Sequence, residues 1–580
     1  MDRLRALFDS VAVGGIATAQ SIKDKVSMSG IMLDDSRLSK AMARLAELGD
    51  APVTFESFQI AISSELLMVN RVFANQLVIP DWGGFCDDIE AIYNAVEPNH
   101  GGHNADYIPI LRDADPERWG VAICTVDGQR LELGDVGLYH SIQSVSKPLT
   151  YAFALEESDF ETVHQYVGVE PSGRPFNALD LLPDLRPFNP CVNAGAIMVA
   201  GLVASRRSQK NSREITQEIM DLWFCLCGEL APVKFSEETM LSERETADNN
   251  FAIAYSLKGR KGLPNGVDLH KMVEVYLSCC SIEMTATMLS VAAATLANGG
   301  VCPTTGRQVL TTEVVKKTLA VMQATGMYDN SGMFTLEVGL PAKSGVAGAV
   351  MVVVPNVMGF ATFSPRLDPY GNSVRGVAFC RKLVNRFTFH VYDSLSGGRT
   401  GCKRDPRASQ NRRKKHDLSD LCWAVSYGDL YATKVRDLML DCMVSICLAD
   451  GEINHREIQS MAAAYSEIMG QPADLNLLND LARERFQLLA ATESGSVDPF
   501  EQLVRRLELE RCGLDDNGRE MILESAFRVA CADGVIEGSE DRQLRDIAKA
   551  LDIGEGVLEL EILQFQRELA ANTLEPSLCN

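Results

Sequence analysis

Residues 138–157 read LYHSIQSVSKPLTYAFALEE, and this stretch carries the chemistry on which the interpretation of the chain depends. Ser144 stands three residues before Lys147 in an otherwise apolar setting, which predicts two side chains on one face at the head of a helix. A buried lysine with a lowered pKa can act as the base for a serine hydroxyl. The alternative is a first-turn serine beside a lysine that extends to solvent. Because Ser-x-x-Lys is a weak pattern, other segments have to separate these readings.

The bulk composition predicts a soluble protein with several domains. The chain has 580 residues, and its length indicates about three to four domains. Hydrophobic residues make up 46% and charged residues 23%, which is enough apolar material for large cores. The net charge of −23 argues against nucleic-acid binding and against adhesion to anionic membranes.

The cysteines and apolar runs indicate a cytoplasmic location. The 16 cysteines are scattered, several of them inside apolar runs, as is typical of reduced thiols packed in a core. Their spacing does not suggest a zinc site, and no secretory signal is visible at the N-terminus. The most apolar stretch, residues 346–363, reads as two buried strands joined by a turn at Pro355–Asn356, so no membrane span is predicted.

Four segments differ in pattern. Residues 1–76 read as a helical N-terminal domain, and residues 77–395 mix strand-like and helical segments, which favours an α/β (α+β) domain with helices flanking a sheet. Residues 396–416 are rich in Gly, Ser, Arg and Lys and predict a basic flexible linker. This linker is either a solvated hinge or an electrostatic clasp onto an acidic surface of the same chain. Residues 417–580 are predicted to be all-α.

The C-terminal segment contains a weak internal repeat. Residues 445–465 and 529–551 each combine an apolar helix, an Ala-Asp-Gly turn and a second helix that is rich in acids. Helix capping at these turns is the favoured interpretation. The alternative is a set of cation sites formed by Asp450, Glu452, Glu457, Asp533, Glu537 and Glu540.

A second motif strengthens the Ser-x-x-Lys interpretation. The sequence GLPAKSGVAGAV from residue 339 places Lys-Ser-Gly at the start of an apolar strand. Serine acyl-transfer enzymes of the penicillin-recognising type pair a helical Ser-x-x-Lys with such a strand. The strand brings a backbone N–H beside the nucleophile, whose own N–H is the second donor of an oxyanion hole. Lys343 alone could equally be a surface lysine at a strand end.

Six long segments stand out in the middle of the chain. They are ADYIPILRDADPERWGVAICTVDGQRLELGD (105–135), SIQSVSKPLTYA (141–152), FNPCVNAGAIMVAGLV (188–203), LSERETADNNFAIAYSLK (241–258), CSIEMTATMLSVAAATLANGGVCPTTG (280–306) and GMYDNSGMFTLEVGLPAKSGVAG (326–348). Together they resemble the serine-dependent glutaminases, and the resemblance follows one order between about residues 77 and 394. The segment before residue 75 also resembles the N-terminal region of the kidney- and liver-type branch.

The resemblance implies a β-lactamase-like fold and hydrolysis of L-glutamine to L-glutamate and ammonia, without a metal or another cofactor. Ser144 matches the family nucleophile and Lys147 the base that activates it. Tyr328 matches a tyrosine that helps proton transfer, and Tyr276 one that lines the site. Val346 matches the second oxyanion-hole donor through its backbone N–H.

Four further residues match those that hold the amino-acid end of the substrate: Tyr107, Asn193, Glu243 and Asn250. Glu243 can pair with the ammonium of glutamine, and the amides and tyrosines can donate to its carboxylate. Each residue has a structural alternative. Asn193 could cap the following helix, Glu243 could be a capping-box acid, and the tyrosines could be core aromatics.

The resemblance also implies a homo-oligomer, with a dimer, a tetramer and a filament as the candidate assemblies, and inorganic phosphate as a candidate activator. The C-terminal half-repeats resemble tellurite-resistance TerB-like helical domains over about residues 420–570. Two rival functions remain open at this point. One is a penicillin-interacting hydrolase that shares the serine–lysine apparatus, and the other is a pseudoenzyme scaffold.

Overall fold

The structure is a computed structural model. The chain divides into two compact units, each of which makes most of its contacts within itself. It describes residues 2–12, 14–49, 51–63, 65–393, 403–407, 430–447, 459, 461–462, 498–514, 516–531, 536, 538–553 and 558. One unit comprises residues 24–36 and 75–410, and the other residues 1–23, 37–74 and 411–580. Among the described helices, none is long and apolar enough to cross a membrane.

The N-terminal segment is helical, as the sequence predicts. Its helices are α1 (Asp2–Asp9), α2 (Ala19–Met28), α3 (Ser39–Leu48), α4 (Phe55–Ile62) and α5 (Leu66–Phe73). A capping box formed by Thr54 and Ser57 starts α4, and the Phe8 ring packs against Phe58 with a centroid separation of 5.4 Å. Residues 24–36 belong to the unit that contains the sheet, where the Asp34 carboxylate pairs with Arg130 at 2.9 Å. The four predicted domain ranges stay a prediction.

Two antiparallel sheets form the framework of the larger unit. The strands are β1 (Gly120–Thr125), β2 (Arg130–Gly134), β3 (His140–Ser141), β4 (Lys234–Phe235), β5 (Ile282–Met284), β6 (Ala342–Ser344), β7 (Ala349–Val354) and β8 (Met358–Phe363). The larger sheet has the order β2-β1-β8-β7-β6 and the smaller one β3-β5-β4. The predicted apolar hairpin is confirmed, because β7 and β8 are buried throughout and pair from Val354↔Met358 to Ala349↔Phe363.

Helices cover both faces of the larger sheet, as predicted. They are α6 (Trp82–Val96), α7 (Pro109–Arg112), α8 (Ser146–Glu157), α9 (Phe160–His164), α10 (Asn193–Ser205), α11 (Ser212–Leu226), α12 (Glu237–Glu245), α13 (Asp248–Gly259), α14 (Leu269–Cys280), α15 (Ala286–Ala297), α16 (Thr312–Thr325), α17 (Ser331–Glu337) and α18 (Val374–Arg386). Helix α15 lies against β8 so closely that a Cβ on Gly359 would stand 2.0 Å from the Ala294 nitrogen. Helices α6 and α18 cover the opposite face.

The packing of α8 and of the turn before it positions Ser144 and Lys147. Residues Val145 and Leu149 enter the core on the α15 side of the sheet, beside Met351 of β7. Helix α8 also contacts α10, α14 and α16, and the turn that precedes it contacts β6. The helix is therefore held from all sides at its N-terminal end, next to the edge strand of the sheet.

The described part of the basic linker binds acidic side chains of the same unit. Lys403 pairs with Asp393 at 2.8 Å, and the Arg404 guanidinium contacts both Asp81 and Asp88. The Arg404 backbone also donates to the Arg386 carbonyl at 3.0 Å and accepts from Thr388 at 3.1 Å. For Lys403 and Arg404, this geometry favours the clasp interpretation over the solvated hinge. The remaining linker residues, 396–402 and 408–416, lie outside the described ranges.

We expect the full-length double variant Lys403→Gln, Arg404→Gln to have a Tm about 2–4 °C below that of wild type at low salt. The ion pairs are partly exposed, so salt screens them, and the loss should nearly vanish in 1 M NaCl. Differential scanning fluorimetry at both salt concentrations measures this. Arg213→Gln with Lys316→Gln removes two other cations, whose side chains are 83% and 79% exposed, and serves as the control. An equal effect of both double variants would contradict the clasp.

The described C-terminal residues are helical, as predicted. The helices are α19 (Leu430–Cys447), α20 (Pro499–Glu510), α21 (Asp516–Ala530) and α22 (Gly538–Ala550). Helix α19 packs against α21, and the Arg506 guanidinium pairs with the buried Asp441 carboxylate at 2.6 Å. Both Ala-Asp-Gly turns lie outside the described ranges, as do all the alternative cation ligands except Glu540, which lies in the first turn of α22. Within the described ranges, no group of three His, Cys, Asp or Glu side chains could hold a metal ion.

Cys191, Cys279, Cys280 and Cys442 are free thiols, as the sequence predicts. All four are buried, with Cys279 and Cys280 at the end of α14 and Cys442 in α19. Burial raises the pKa of the Cys279 thiol to about 12, so it stays protonated at neutral pH. These side chains therefore behave as small apolar groups.

Candidate active site

Ser144 and Lys147 lie where a tight turn becomes helix α8. Ser144 belongs to a 3-10 turn over Gln143–Val145, and Lys147 is the second residue of α8. Because residues three apart in such a turn lie on the same side, the two side chains face one pocket. Both are buried, with 7% and 2% of their surface exposed, so the snorkelling lysine alternative is wrong. Gln143, directly before the serine, has a left-handed φ of 49°, a conformation that costs non-glycine residues about 1–3 kcal/mol.

The Lys147 amino group lies in an apolar pocket among neutral acceptors. Nζ donates to Asn193 Oδ1 at 2.7 Å and to the Cys191 carbonyl at 3.2 Å. No carboxylate of the described residues lies within ion-pair distance of Nζ, although Glu243 is close enough to oppose part of the shift. Burial lowers the pKa of Lys147 to about 8. A substantial fraction of the amine is therefore unprotonated at mildly alkaline pH and can accept a proton.

Two backbone N–H groups beside Ser144 donate to no acceptor in the described part of the chain: those of Ser144 itself and Val346. The loop after β6 reaches the nucleophile turn because residue 345 is glycine. A Cβ on Gly345 would stand only 2.6 Å from the Ile142 carbonyl oxygen. Unpaired N–H groups are rare in buried backbone and are suited to stabilising an oxyanion.

Glu243 is a buried carboxylate with two side-chain donors from distant segments. Its Oε1 accepts from the Tyr107 hydroxyl at 2.6 Å and from Gln143 Nε2 at 3.0 Å. Burial raises the pKa of Glu243, while these hydrogen bonds and Lys147 oppose the rise. The capping-box alternative is wrong, because α12 begins after Ser236, which accepts from the Thr239 N–H, and Glu243 lies in the last turn.

Asn193 connects the lysine to three other side chains. Its Oδ1 accepts from Lys147 and from the Tyr276 hydroxyl at 3.1 Å, and its Nδ2 donates to Asn250 Oδ1 at 3.1 Å. The capping alternative for Asn193 is wrong. The Asn189 side chain instead accepts from the backbone N–H groups of the two residues before α10, at 2.9 and 3.1 Å.

The two tyrosines differ in how their hydroxyls are satisfied. The Tyr276 hydroxyl donates to Asn193, whereas the buried Tyr328 hydroxyl has no hydrogen-bond partner of good geometry among the described residues. Burial raises the pKa of Tyr328, and an interaction with the Ser144 side chain opposes part of that rise. The Tyr328 ring packs against Phe176 at 4.8 Å, and its φ is 53°. Tyr328 is therefore more than a satisfied core aromatic.

Contacts link all the sequence-predicted site residues into one pocket, and two further residues lie in it. One is Gln143, which donates to Glu243. The sequence does not predict this role, because nothing around Gln143 distinguishes it from an ordinary turn residue. The surface-lysine alternative for Lys343 is wrong, since this side chain is 0% exposed and its Nζ lies 4.3 Å from the Tyr328 ring centroid. The predicted residues are Tyr107, Ser144, Lys147, Asn193, Glu243, Asn250, Tyr276, Tyr328 and Val346.

Comparisons with known proteins match both halves of the chain. Residues 102–392 match the family model for glutaminase, and residues 442–560 match the model for tellurite resistance protein TerB. The mitochondrial liver isoform of glutaminase from Rattus norvegicus is 41% identical over 411 residues, which cover 70% of this chain and 67% of the relative. Glutaminase 2 of Bradyrhizobium diazoefficiens is 34% identical over 490 residues, covering 80% of this chain and 73% of the relative.

Structural comparison agrees with the sequence matches. The crystal structure of Mglu in its native form aligns at 28% identity with a TM-score of 0.52, covering 78% of this chain and 97% of that one. The expected β-lactamase-like fold and TerB-like C-terminal domain are confirmed. The chain therefore belongs to the glutaminase family.

Proposed function

We propose that this glutaminase hydrolyses L-glutamine through a γ-glutamyl ester on Ser144, with Lys147 as the general base. The observation that carries the proposal is a buried serine three residues from a buried lysine, with no carboxylate of the described residues within ion-pair distance of that lysine. Two backbone N–H groups beside the serine donate to no acceptor in the same part of the chain. Nucleophile, base and oxyanion donors are the three parts that acyl transfer needs.

The charged groups of the pocket suit the two ends of a free amino acid. Glu243 is the buried carboxylate that would pair with the substrate ammonium. Tyr107, Asn193 and Asn250 supply hydroxyl and amide donors for the substrate carboxylate. When both ends are held, the side-chain amide carbon is directed toward Ser144. Recognition of both ends would favour glutamine over a glutamine side chain in a peptide.

In the acylation step, Ser144 Oγ attacks the amide carbon and its proton passes to Lys147 Nζ. The N–H groups of Ser144 and Val346 stabilise the oxyanion. The carbon–nitrogen bond then breaks, the departing nitrogen takes the proton from Lys147, and ammonia leaves. The Tyr328 hydroxyl would relay this proton, as a buried group without a hydrogen-bond partner among the described residues.

In the deacylation step, water attacks the ester carbon and gives a proton to Lys147. The ester bond breaks, Ser144 Oγ recovers the proton and L-glutamate leaves. Tyr276 would act on Lys147 through Asn193, because the Tyr276 hydroxyl and Lys147 Nζ both donate to Asn193 Oδ1. Homo-oligomer formation, phosphate activation and a cytoplasmic location rest on the family resemblance and on composition, and stay predictions.

The acyl-enzyme is tested by adding hydroxylamine to the full-length protein during turnover of glutamine. We expect γ-glutamyl hydroxamate to form at the expense of glutamate, while ammonia release is not slowed, because hydroxylamine competes with water for the ester. Mass spectrometry and an ammonia assay measure the three products. Ammonia release without hydroxamate would contradict the ester, and no ammonia release would favour the scaffold reading. Hydrolysis of nitrocefin at a comparable rate would favour the penicillin-type hydrolase.

A further inference from the structure

A second lysine is buried in the wall of the same pocket. Lys343 lies on β6 opposite Met351 of β7, so its side chain points to the face that α8 and α15 cover. The side chain is 0% exposed, and Nζ donates to the Ser344 carbonyl at 2.6 Å. No carboxylate of the described residues lies within ion-pair distance of this amine. An apolar residue would fill the strand position without the cost of burying an amine.

The Lys343 amino group contacts Tyr328, a residue with few polar contacts to hold its side chain. Tyr328 has a left-handed φ of 53°, and its hydroxyl has no hydrogen bond of good geometry within the described residues. The Ser331 hydroxyl holds its carbonyl at 2.7 Å, but the ring is held by packing alone. On one side lies the Phe176 ring at 4.8 Å, and Lys343 Nζ lies over the ring at 4.3 Å. An amine over a tyrosine face is attracted when it is protonated and packs as a donor when it is neutral.

We propose that Lys343 is a positioning residue for the reaction, whose buried amino group holds the Tyr328 ring, and through it the Tyr328 hydroxyl, against Ser144. This proposal rests on the proposed acyl transfer through Ser144. A displacement of about 1 Å at a proton-transferring group is enough to slow a reaction about a hundredfold. The contribution of Lys343 should therefore appear in kcat and leave glutamine binding largely intact.

A second consequence follows from placing two amines in one buried pocket. Like charges disfavour each other, so Lys343 and Lys147 titrate as a coupled pair. Burial lowers the pKa of Lys343 to about 7, and the charge of Lys147 adds to the shift. Because Lys343 has the lower pKa, it loses its proton first, and Lys147 then titrates beside a neutral amine. The titratable groups that face Lys343 from the neighbouring elements are Lys147, Tyr328, Cys191 and Cys280.

The test compares full-length Lys343→Met with wild type. We expect kcat for glutamine to fall about a hundredfold with KM changed by less than about threefold. The pH at which kcat/KM rises should stay near 8, because Lys343 is already neutral when Lys147 loses its proton. Rates are normalised to the fraction of protein that a diazoketone analogue of glutamine labels at Ser144, so that partial misfolding does not imitate a catalytic effect. Lys316→Met, an exposed lysine on α16, is the matched control and should keep wild-type kinetics.

A double-mutant cycle with Tyr328→Phe tests the route through the tyrosine. If Lys343 acts by positioning the Tyr328 hydroxyl, Lys343→Met should have much less effect on kcat once that hydroxyl is gone. Should Lys343→Met fail to fold, Lys343→Gln takes its place in the same cycle. Wild-type kcat per labelled site, or full additivity with Tyr328→Phe, would overturn the proposal. Failure of the wild type to label Ser144 or to release ammonia would instead overturn the proposed function.

Discussion

Ser144→Ala is expected to lower kcat for glutamine by about 10⁴- to 10⁶-fold, the range found when a serine nucleophile is removed. Without the hydroxyl, no ester can form, and only the two N–H donors and substrate positioning remain. Glutamine binding should persist, because the Glu243, Tyr107 and Asn193 contacts do not involve Ser144 Oγ. Coupled measurement of ammonia and calorimetric measurement of glutamine binding separate these two quantities.

The control for this substitution is Ser290→Ala. Ser290 is as buried as the nucleophile, but it lies on α15 and donates to the Thr287 carbonyl at 2.8 Å, away from the pocket. It should keep wild-type kcat and KM. An S144A protein that binds glutamine and still releases ammonia at more than about a hundredth of the wild-type rate would show that another group attacks the amide.

Lys147→Met is expected to lower kcat by about 10³-fold, within the range of general base catalysis. In wild type, kcat/KM should rise with pH through about 8, because the amine must lose its proton before it can accept one from Ser144. The variant should lack this limb. Lys147→Arg keeps a cation but cannot act as a base, so it should be as inactive as Lys147→Met.

Loss of activity in Lys147→Met should not come with loss of stability. The folded-state pKa of Lys147, about 8, is below its ordinary value, so the unfolded chain binds more protons between these values. Burial of Lys147 is therefore most destabilising below pH 8, and the effect fades as pH rises toward the unfolded pKa. We expect Lys147→Met to be at least as stable as wild type at neutral pH in thermal unfolding. If the variant is strongly destabilised, its inactivity reflects misfolding. If it keeps the rise of kcat/KM through pH 8, Lys147 is not the base.

The predicted features that the structure reproduces are local in the chain. Ser144 and Lys147 are three residues apart, so the spacing of the motif already brings them to one side of a turn. The hairpin of β7 and β8 follows from two apolar β-branched runs around Pro355–Asn356. The sequence also identifies the cations of the linker. It does not identify the carboxylates that pair with them, because the partners of Arg404 lie more than 300 residues earlier in the chain.

The features that only the folded chain could settle depend on burial and on convergence of distant segments. Asn193 and Glu243 each stand in local patterns typical of helix caps, and their actual partners come from 46 and 136 residues away. Lys343 sits at a strand end, where sequence alone predicts exposure as readily as burial. Sequence spacing therefore identifies which chemical groups are available to this enzyme. Packing decides which of them lose water, and desolvation lowers the pKa of Lys147 toward the range that its proposed role as a base requires.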